Sequence, residues 1–344
     1  MIVVNARFLT QKVTGVQRFA IEISKILHKL NDRIVFVTPP GILDQDLAKE
    51  LGAILIGKNQ GTIWEQVDLR KYLTLNRKPL LINFCNTGLI FYKRQIVTIH
   101  DMSYKVNPKW FSRKFYLWYD FLIPHIAKRS LKILTVSNSS KKDIIKYLKI
   151  RPEKISVIYN SYYLNTNNNF EKIVGDKYLL TVSSFDPRKN LDNLVKAFKN
   201  IDYKIKLIIV GSNNSNFASH AELSDDNIII KGYVSDDELV SLMNNADFFI
   251  YLSFYEGFGL PPIEAMYMGC PVIVSDIPAH REVCGNAALY TDPYDIEDIK
   301  NKITFMLNNE QVKKELITAG KNNIKRFDWF NSAQKVLDSI NEMV

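Results

Sequence analysis

The sequence predicts two doubly wound α/β domains, each built on a parallel sheet, and three observations carry that prediction. Short apolar runs rich in Val, Ile and Leu recur along the 344 residues, as strands buried on both faces require. Segments of helical period lie between several of them, which is the alternation of a parallel α/β sheet. A short polar stretch without periodicity, 165–169 (Asn-Thr-Asn-Asn-Asn), interrupts the alternation once near the middle, and then it restarts. The expected division is a domain over 1–165, a second over 166–328 and a terminal amphipathic helix over 329–344.

In the first half the strand-like runs are 2–5, 34–37, 53–56, 80–84, 95–99, 133–136 and 155–158. Helical period appears over 16–30, 111–129 and 139–148. In the second half strands are expected at 178–182, 206–210, 227–231, 248–252 and 271–275. Helices are expected at 191–198, 237–244, 262–268, 296–307 and 311–324.

The composition, 47% apolar and 24% charged, is that of a globular protein. No apolar run reaches the roughly 20 residues that span a bilayer. Met1-Ile2-Val3-Val4-Asn5 reads as a strand rather than a signal peptide, and Cys85, Cys270 and Cys284 have no metal or disulfide spacing. A reducing cytoplasm is the expected setting. The net charge of +9 is unevenly spread: residues 1–165 hold 27 Lys+Arg against 11 Asp+Glu, the remainder 18 against 25. The basic half should face an anionic partner. No nucleic-acid motif accompanies it, so an anionic membrane surface or a phosphate-bearing acceptor is expected.

The central stretch is 253–266, in which Glu256 and Glu264 flank Gly257-Phe258-Gly259-Leu260-Pro261-Pro262. It follows the apolar run 248–252, so the glycines make a strand-to-helix loop and the prolines suit a first helical turn. Glu264 is expected in that first turn. Two carboxylates where strands end suit the hydroxyl groups of a ligand better than an anion; the plain alternative is a loop acid and an ordinary helix acid. Arg188 and Lys189, on the loop after 178–182, offer a planar fork and a compact charge suited to a diphosphate. A solvated basic turn is the other reading. Gly15, with Arg18 behind it, opens a helix after the first strand and lets backbone amides approach a phosphate or a sugar; a plain strand-to-helix turn is the other reading. His100 follows the run 95–99, where its imidazole can donate to a hydroxyl or exchange a proton, with Asp101 to orient it; a structural histidine is the other reading. Tyr233 follows Gly232 at a strand end, where a nucleobase could stack, and Asp276 ends 271–275. Lys109, Trp110, Arg113 and Lys114 belong to a basic and aromatic segment, 105–119, that suits a lipid headgroup boundary or else a half-buried helix. Asp44-Gln45-Asp46 has metal-pair spacing but lies in a polar segment and reads as surface. No histidine pair has zinc spacing, and no metal site is expected.

Taken together, Thr14-Gly15-Val16-Gln17-Arg18-Phe19, Val97-Thr98-Ile99-His100-Asp101, Val136-Ser137-Asn138-Ser139-Ser140, Pro187-Arg188-Lys189-Asn190 and the Glu256 to Glu264 block resemble the GT-B fold retaining glycosyltransferases of family 4. With Trp64-Glu65-Gln66 and Asn86-Thr87-Gly88, the N-terminal pattern resembles the bacterial mannosyl- and rhamnosyltransferases of O-antigen and capsule synthesis. The resemblance implies a nucleotide-diphosphate sugar donor, GDP-mannose favoured, no separate cofactor, and a polyprenyl-diphosphate-linked saccharide acceptor. It places the donor diphosphate on Arg188 and Lys189, the ribose on Glu264, the transferred sugar on Glu256 and His100, and the phosphates under the Gly15 loop. Gly257, Phe258, Gly259 and Leu260 would line the donor, with Tyr233 beside the base. It implies a terminal helix that returns to the N-terminal domain, a donor held between the domains, and hinge closure that excludes water. Ser183-Ser184 stands where the family has a glycine-bearing turn, and Asn160-Ser161 where Asn-Gly is common. Two other readings are a nucleotide-sugar epimerase of the same fold, which would alter the donor without an acceptor, and a non-catalytic partner in a membrane polysaccharide complex.

Overall fold

The computed structural model describes residues 1–163, 177–211 and 225–344; the linker expected at 165–169 lies outside them. The chain forms two compact units, Met1–Asn160 with Phe327–Val344, and Ser161–Arg326. The divisions thus fall at 160/161 and 326/327, against 165/166 and 328/329 expected.

The first unit holds a seven-stranded sheet, β1 Ile2–Asn5, β2 Ile34–Thr38, β3 Ile54–Leu55, β4 Leu80–Asn83, β5 Gln95–Thr98, β6 Lys132–Thr135 and β7 Ile155–Val157, in the order β3-β2-β1-β4-β5-β6-β7. Every pairing between these strands is parallel. All residues of β1, β4 and β5 are buried, because helices cover both faces, and this is why the strands read as unbroken apolar runs. Helix α1, Gly15–Leu30, starts from a capping box between Thr14 and Gln17 and buries Phe19, Ile23 and Leu27 at four-residue spacing. The C-terminal helix Trp329–Asn341 is capped by Asp328 and buries Ala333, Val336 and Ile340. It packs on α1, with Trp329 edge-on to Phe19 at 6.3 Å, so the end of the chain completes the first unit. Helix α2, Arg113–Arg129, covers the β5–β6 side.

The second unit holds β8 Tyr178–Val182, β9 Lys206–Val210, β10 Ile228–Gly232, β11 Phe248–Tyr251, β12 Val272–Ser275 and β13 Leu289–Thr291, ordered β10-β9-β8-β11-β12-β13. Helix α3, Leu191–Lys199, buries Leu191, Leu194, Val195 and Phe198 against this sheet. Helix α4, Leu260–Tyr267, follows β11, and α5, Pro278–Cys284, follows β12. In both sheets the order reverses once, between β1 and β4 and between β8 and β11. Such switch points leave a crevice at the carboxyl ends of the two strands, where open α/β sheets bind ligands. Among the described residues, no helix is long and apolar enough to cross a membrane.

Candidate active site

The second unit's switch point is built by the loops after β8 and β11. After β8, Pro187–Lys189 form a single 3-10 turn whose cap, Asp186, accepts the Arg188 amide at 2.9 Å. The Arg188 carbonyl accepts the Phe254 amide at 2.9 Å and so stitches this turn to the loop after β11. The side chains then converge. Lys189 Nζ donates to Glu256 Oε1 and to the Tyr251 hydroxyl, each at 2.6 Å, and that hydroxyl donates to the same Oε1 at 3.1 Å. Arg188 lies 3.6 Å from Glu256 Oε2 and donates to the Tyr255 carbonyl at 3.4 Å.

Burial alone would push the Glu256 carboxyl up, because it disfavours the charged form. Lys189 and Arg188 outweigh it and hold the group at about 2. Burial also works against the Lys189 ammonium, but Glu256 and Tyr251 outweigh it and raise its pKa. The cluster is therefore charged throughout the physiological range. An ammonium has three donors and Lys189 spends two on these partners, so one N–H direction is left for a ligand oxygen.

Two members of this cluster carry no signal in the sequence. Tyr251 reads as an ordinary strand aromatic, and only its position as the last residue of β11 brings the hydroxyl to Glu256. His280 sits on α5, fully buried, with its Nδ1 donating to the Ser275 carbonyl at 3.0 Å and its ring 5.6 Å from that of Tyr251. Burial lowers its pKa to about 4, so it is neutral.

Gly257, Phe258 and Gly259 are buried beside Glu256, and Leu260 is half-buried. Gly259 has a φ of +92 and caps α4; a Cβ there would meet His280 Cδ2 at 3.0 Å and Nε2 at 3.2 Å. Glycine is thus demanded twice, by the backbone and by the imidazole beneath it. Gly259→Ala is expected to destabilise the protein by about 1–3 kcal/mol in urea unfolding. A loss below roughly 0.5 kcal/mol, the range of an ordinary surface change, would show that the loop does not rest on His280.

Because α4 begins at Leu260, Glu264 is the fifth helical residue. The expected first-turn position is corrected to the second turn; the left-handed Gly259 sets the earlier start. Glu264 is half-buried. Tyr233 stands 82% exposed at the end of the edge strand β10, with β9 between that strand and β8. Asp276 is engaged by Arg281 through two bonds of 2.6 Å. Neither Ser183 nor Ser184 has a positive φ; the close approach comes from Gly211, just after β9, where a Cβ would lie 1.8 Å from the Ser183 carbonyl.

In the first unit, Gly15 opens α1 with a φ outside the left-handed region, and a Cβ there would meet nothing within 4 Å. The fold itself does not ask for glycine at 15. Arg18 lies 4.0 Å from Glu22. His100 is buried, its Nε2 donating to the Phe84 carbonyl at 2.7 Å. Burial lowers its pKa against the raising influence of that carbonyl and Asp101. This revises the expected donor: with the proton on Nε2 committed, Nδ1 is left as an acceptor. Asp44 caps the helix Gln45–Glu50 by accepting the Leu47 amide at 2.9 Å, and both Asp44 and Asp46 are exposed. On the basic and aromatic segment, Phe111, Tyr116 and Tyr119 pack on the core. Leu117, Trp118 and Phe121 are exposed, as are Lys109, Arg113 and Lys114, with Trp110 half-buried.

Two parallel α/β units with sheets of seven and six strands have the architecture of the GT-B glycosyltransferases. Comparison with known proteins agrees. A profile described as Glycosyltransferase Family 4 matches residues 13–165, and one described as Glycosyl transferases group 1 matches 165–323. The chain is 35% identical over 270 residues to the O-antigen chain mannosyltransferase RfbU of Salmonella typhimurium, covering 75% of this chain and 74% of that one. It is 25% identical over 272 residues to the N-acetylgalactosamine-N,N'-diacetylbacillosaminyl-diphospho-undecaprenol 4-alpha-N-acetylgalactosaminyltransferase of Campylobacter jejuni, covering 76% and 69%. Its fold matches the crystal structure of Anabaena Alr3699/HepE in complex with UDP and glucose, with TM-score 0.78, 17% identity and 99% of each chain covered. The chain belongs to glycosyltransferase family 4.

Proposed function

We propose that this glycosyltransferase is a retaining, metal-independent hexosyltransferase that moves mannose, with rhamnose as the second choice, from a nucleotide-diphosphate sugar, GDP-mannose favoured, to a polyprenyl-diphosphate-linked saccharide. Its setting is O-antigen- or capsule-type polysaccharide synthesis at the inner face of the plasma membrane. The observation that carries the reading is the junction of Arg188, Lys189 and Glu256 at the β8/β11 switch point.

Breaking an anomeric C–O bond develops positive charge on the sugar and negative charge on the departing diphosphate. Fixed groups aimed at that charge stabilise the transition state without reorganising. Arg188 and Lys189 meet the diphosphate, and in doing so supply the positive charge that the leaving group needs. Glu256, ionised across the physiological range, accepts the sugar's hydroxyls and stabilises positive character on the ring. Glu264 receives the ribose and Tyr233 flanks the base. Gly15 and His100 keep the roles that the resemblance implies, at the phosphates and at a sugar hydroxyl, the latter as an acceptor through Nδ1. The mannosyl donor follows the Salmonella relative, and the lipid-linked acceptor follows the Campylobacter relative, whose name specifies a diphospho-undecaprenol saccharide. The exposed Leu117, Trp118 and Phe121, set among Lys109, Arg113 and Lys114, suit an anionic headgroup boundary.

Incubation with GDP-mannose and a polyprenyl-diphosphate saccharide should lengthen the acceptor by one residue with the donor's α configuration. Inverted product would overturn retention, and an altered donor formed without acceptor would make the protein an epimerase. If GDP-, dTDP- and UDP-sugars all remain untouched, the transferase reading fails.

A further inference from the structure

Strand β11 is Phe248-Phe249-Ile250-Tyr251, three apolar side chains followed by one that carries a hydroxyl. Tyr251 is 3% exposed, and a buried hydroxyl costs stability unless it is hydrogen-bonded. Packing alone would be served as well by phenylalanine. The hydroxyl is placed where both its donor and its acceptor capacity are used. It accepts from Lys189 Nζ at 2.6 Å and donates to Glu256 Oε1 at 3.1 Å. Burial first, and then the Glu256 charge, raise its pKa against Lys189 and Arg188, so the proton it donates stays in place.

The tyrosine ring is itself held. Phe249 stacks near it with 6.2 Å between centroids, and the buried His280 imidazole lies at 5.6 Å. The Lys189 ammonium sits 5.0 Å from the ring centroid. A carboxylate turns easily about its last torsion, whose wells are broad, and a lysine on its flexible stem can follow it. One ammonium therefore fixes the charge beside Glu256 but not the plane of the carboxylate. A second donor, carried by a rigid ring, fixes the plane. Lys189 and Tyr251 both bond Oε1, whereas Oε2 lies 3.6 Å from Arg188, longer than a hydrogen bond. The Ser253 hydroxyl, fully buried, adds to the hold on the carboxyl. An ionised carboxylate has about four acceptor positions, and these two donors occupy those of Oε1.

We propose that Tyr251 is a positioning residue for the transfer: by holding Oε1 together with Lys189 it sets the carboxylate plane and leaves Oε2 to accept a hydroxyl of the transferred sugar. This rests on the transferase reading. A neutral hydroxyl donates to a carboxylate oxygen in a charge-assisted bond, whereas a phosphate there would be repelled. The tyrosine acts through Glu256 and touches no ligand.

Tyr251→Phe keeps the ring and removes the hydroxyl. Its kcat for transfer from GDP-mannose should fall by about tenfold to a hundredfold, the worth of a hydrogen bond to a charged group, with GDP affinity held within about threefold because Arg188 and Lys189 keep their charge. An equal loss of GDP affinity overturns the proposal. The sugar's own hydroxyls supply the readout that a space-filling role would not move. At least one of the 3-, 4- and 6-deoxy analogues of GDP-mannose should cost the wild type about tenfold or more in kcat/KM and cost Tyr251→Phe about threefold or less. Equal penalties in the two proteins, or none in the wild type, refute the proposal. Crystal structures of the wild type and Tyr251→Phe need no turnover: the Glu256 carboxylate should be rotated, or in two orientations, in the variant. A carboxylate that keeps its plane contradicts the proposal. If no nucleotide-sugar is transferred, the transferase reading fails while the crystal structures still judge the tyrosine, so the two failures are told apart.

Discussion

Lys189→Ala is expected to lower kcat/KM for the donor by about a thousandfold, the upper range for removing one charge-stabilising group from a transition state. The variant should also lose stability. Lys189 is the shorter partner of Glu256, at 2.6 Å against 3.6 Å for Arg188. Removing one member of a buried pair leaves an uncompensated charge and costs about 3–5 kcal/mol; Arg188 remains to hold Glu256, so the lower end applies. For a chain of this size that amounts to a fall in Tm of roughly 10 °C. Nucleotide release on addition of donor measures the first effect, and calorimetry the second. Transfer within threefold of wild type would remove Lys189 from the chemistry.

Glu256→Gln separates binding from chemistry. The amide keeps the shape and an acceptor oxygen but loses the charge, so transfer should fall by about a hundredfold or more. The nucleoside diphosphate should bind at least as tightly, because Lys189 and Arg188 no longer share their charge with a carboxylate. The same variant has a pH signature. The carboxyl ionises at about 2 in the folded protein, below its ordinary value of 4.5. Its contribution is therefore complete above pH 4.5 and is lost as pH falls from there towards 2. That contribution is about 3 kcal/mol, and urea unfolding across acid pH should show the wild type losing this much more than Glu256→Gln. Parallel pH profiles for the two proteins would contradict the pairing.

Much of this was legible because parallel strands buried on both faces leave continuous apolar runs. The bounds read for 2–5, 178–182 and 206–210 coincide with β1, β8 and β9. Elements without that signature were missed. β13 is three residues long and follows Ala287-Ala288, too short for any period to show. The helical stretch from Gly61 escaped because Trp64, Leu69 and Leu73 are buried at spacings of five and four, which the π-helical turn Trp64–Leu69 permits and a 3.6-residue period does not. Arg188, Lys189 and Glu256 were legible as loop residues after apolar runs. The reading assigned the cations and the carboxylate separate duties, on anion and sugar. The structure joins them through Lys189, which a one-dimensional pattern cannot show, since β8 and β11 become neighbours only when the sheet order reverses. Tyr251 and His280 stayed hidden for a related reason: each reads as core, and only the polar tip reaches the site.

The central claim is that the β8/β11 switch point binds the diphosphate of a nucleotide-sugar. Calorimetric titration of GDP, UDP and dTDP into wild type and Arg188→Ala tests it most directly. One nucleoside diphosphate, GDP favoured, should bind the wild type, and Arg188→Ala should weaken it by roughly tenfold to a hundredfold, the worth of hydrogen bonds from a charged donor. Equal affinity in the two proteins, or no binding of any of the three, would contradict the account.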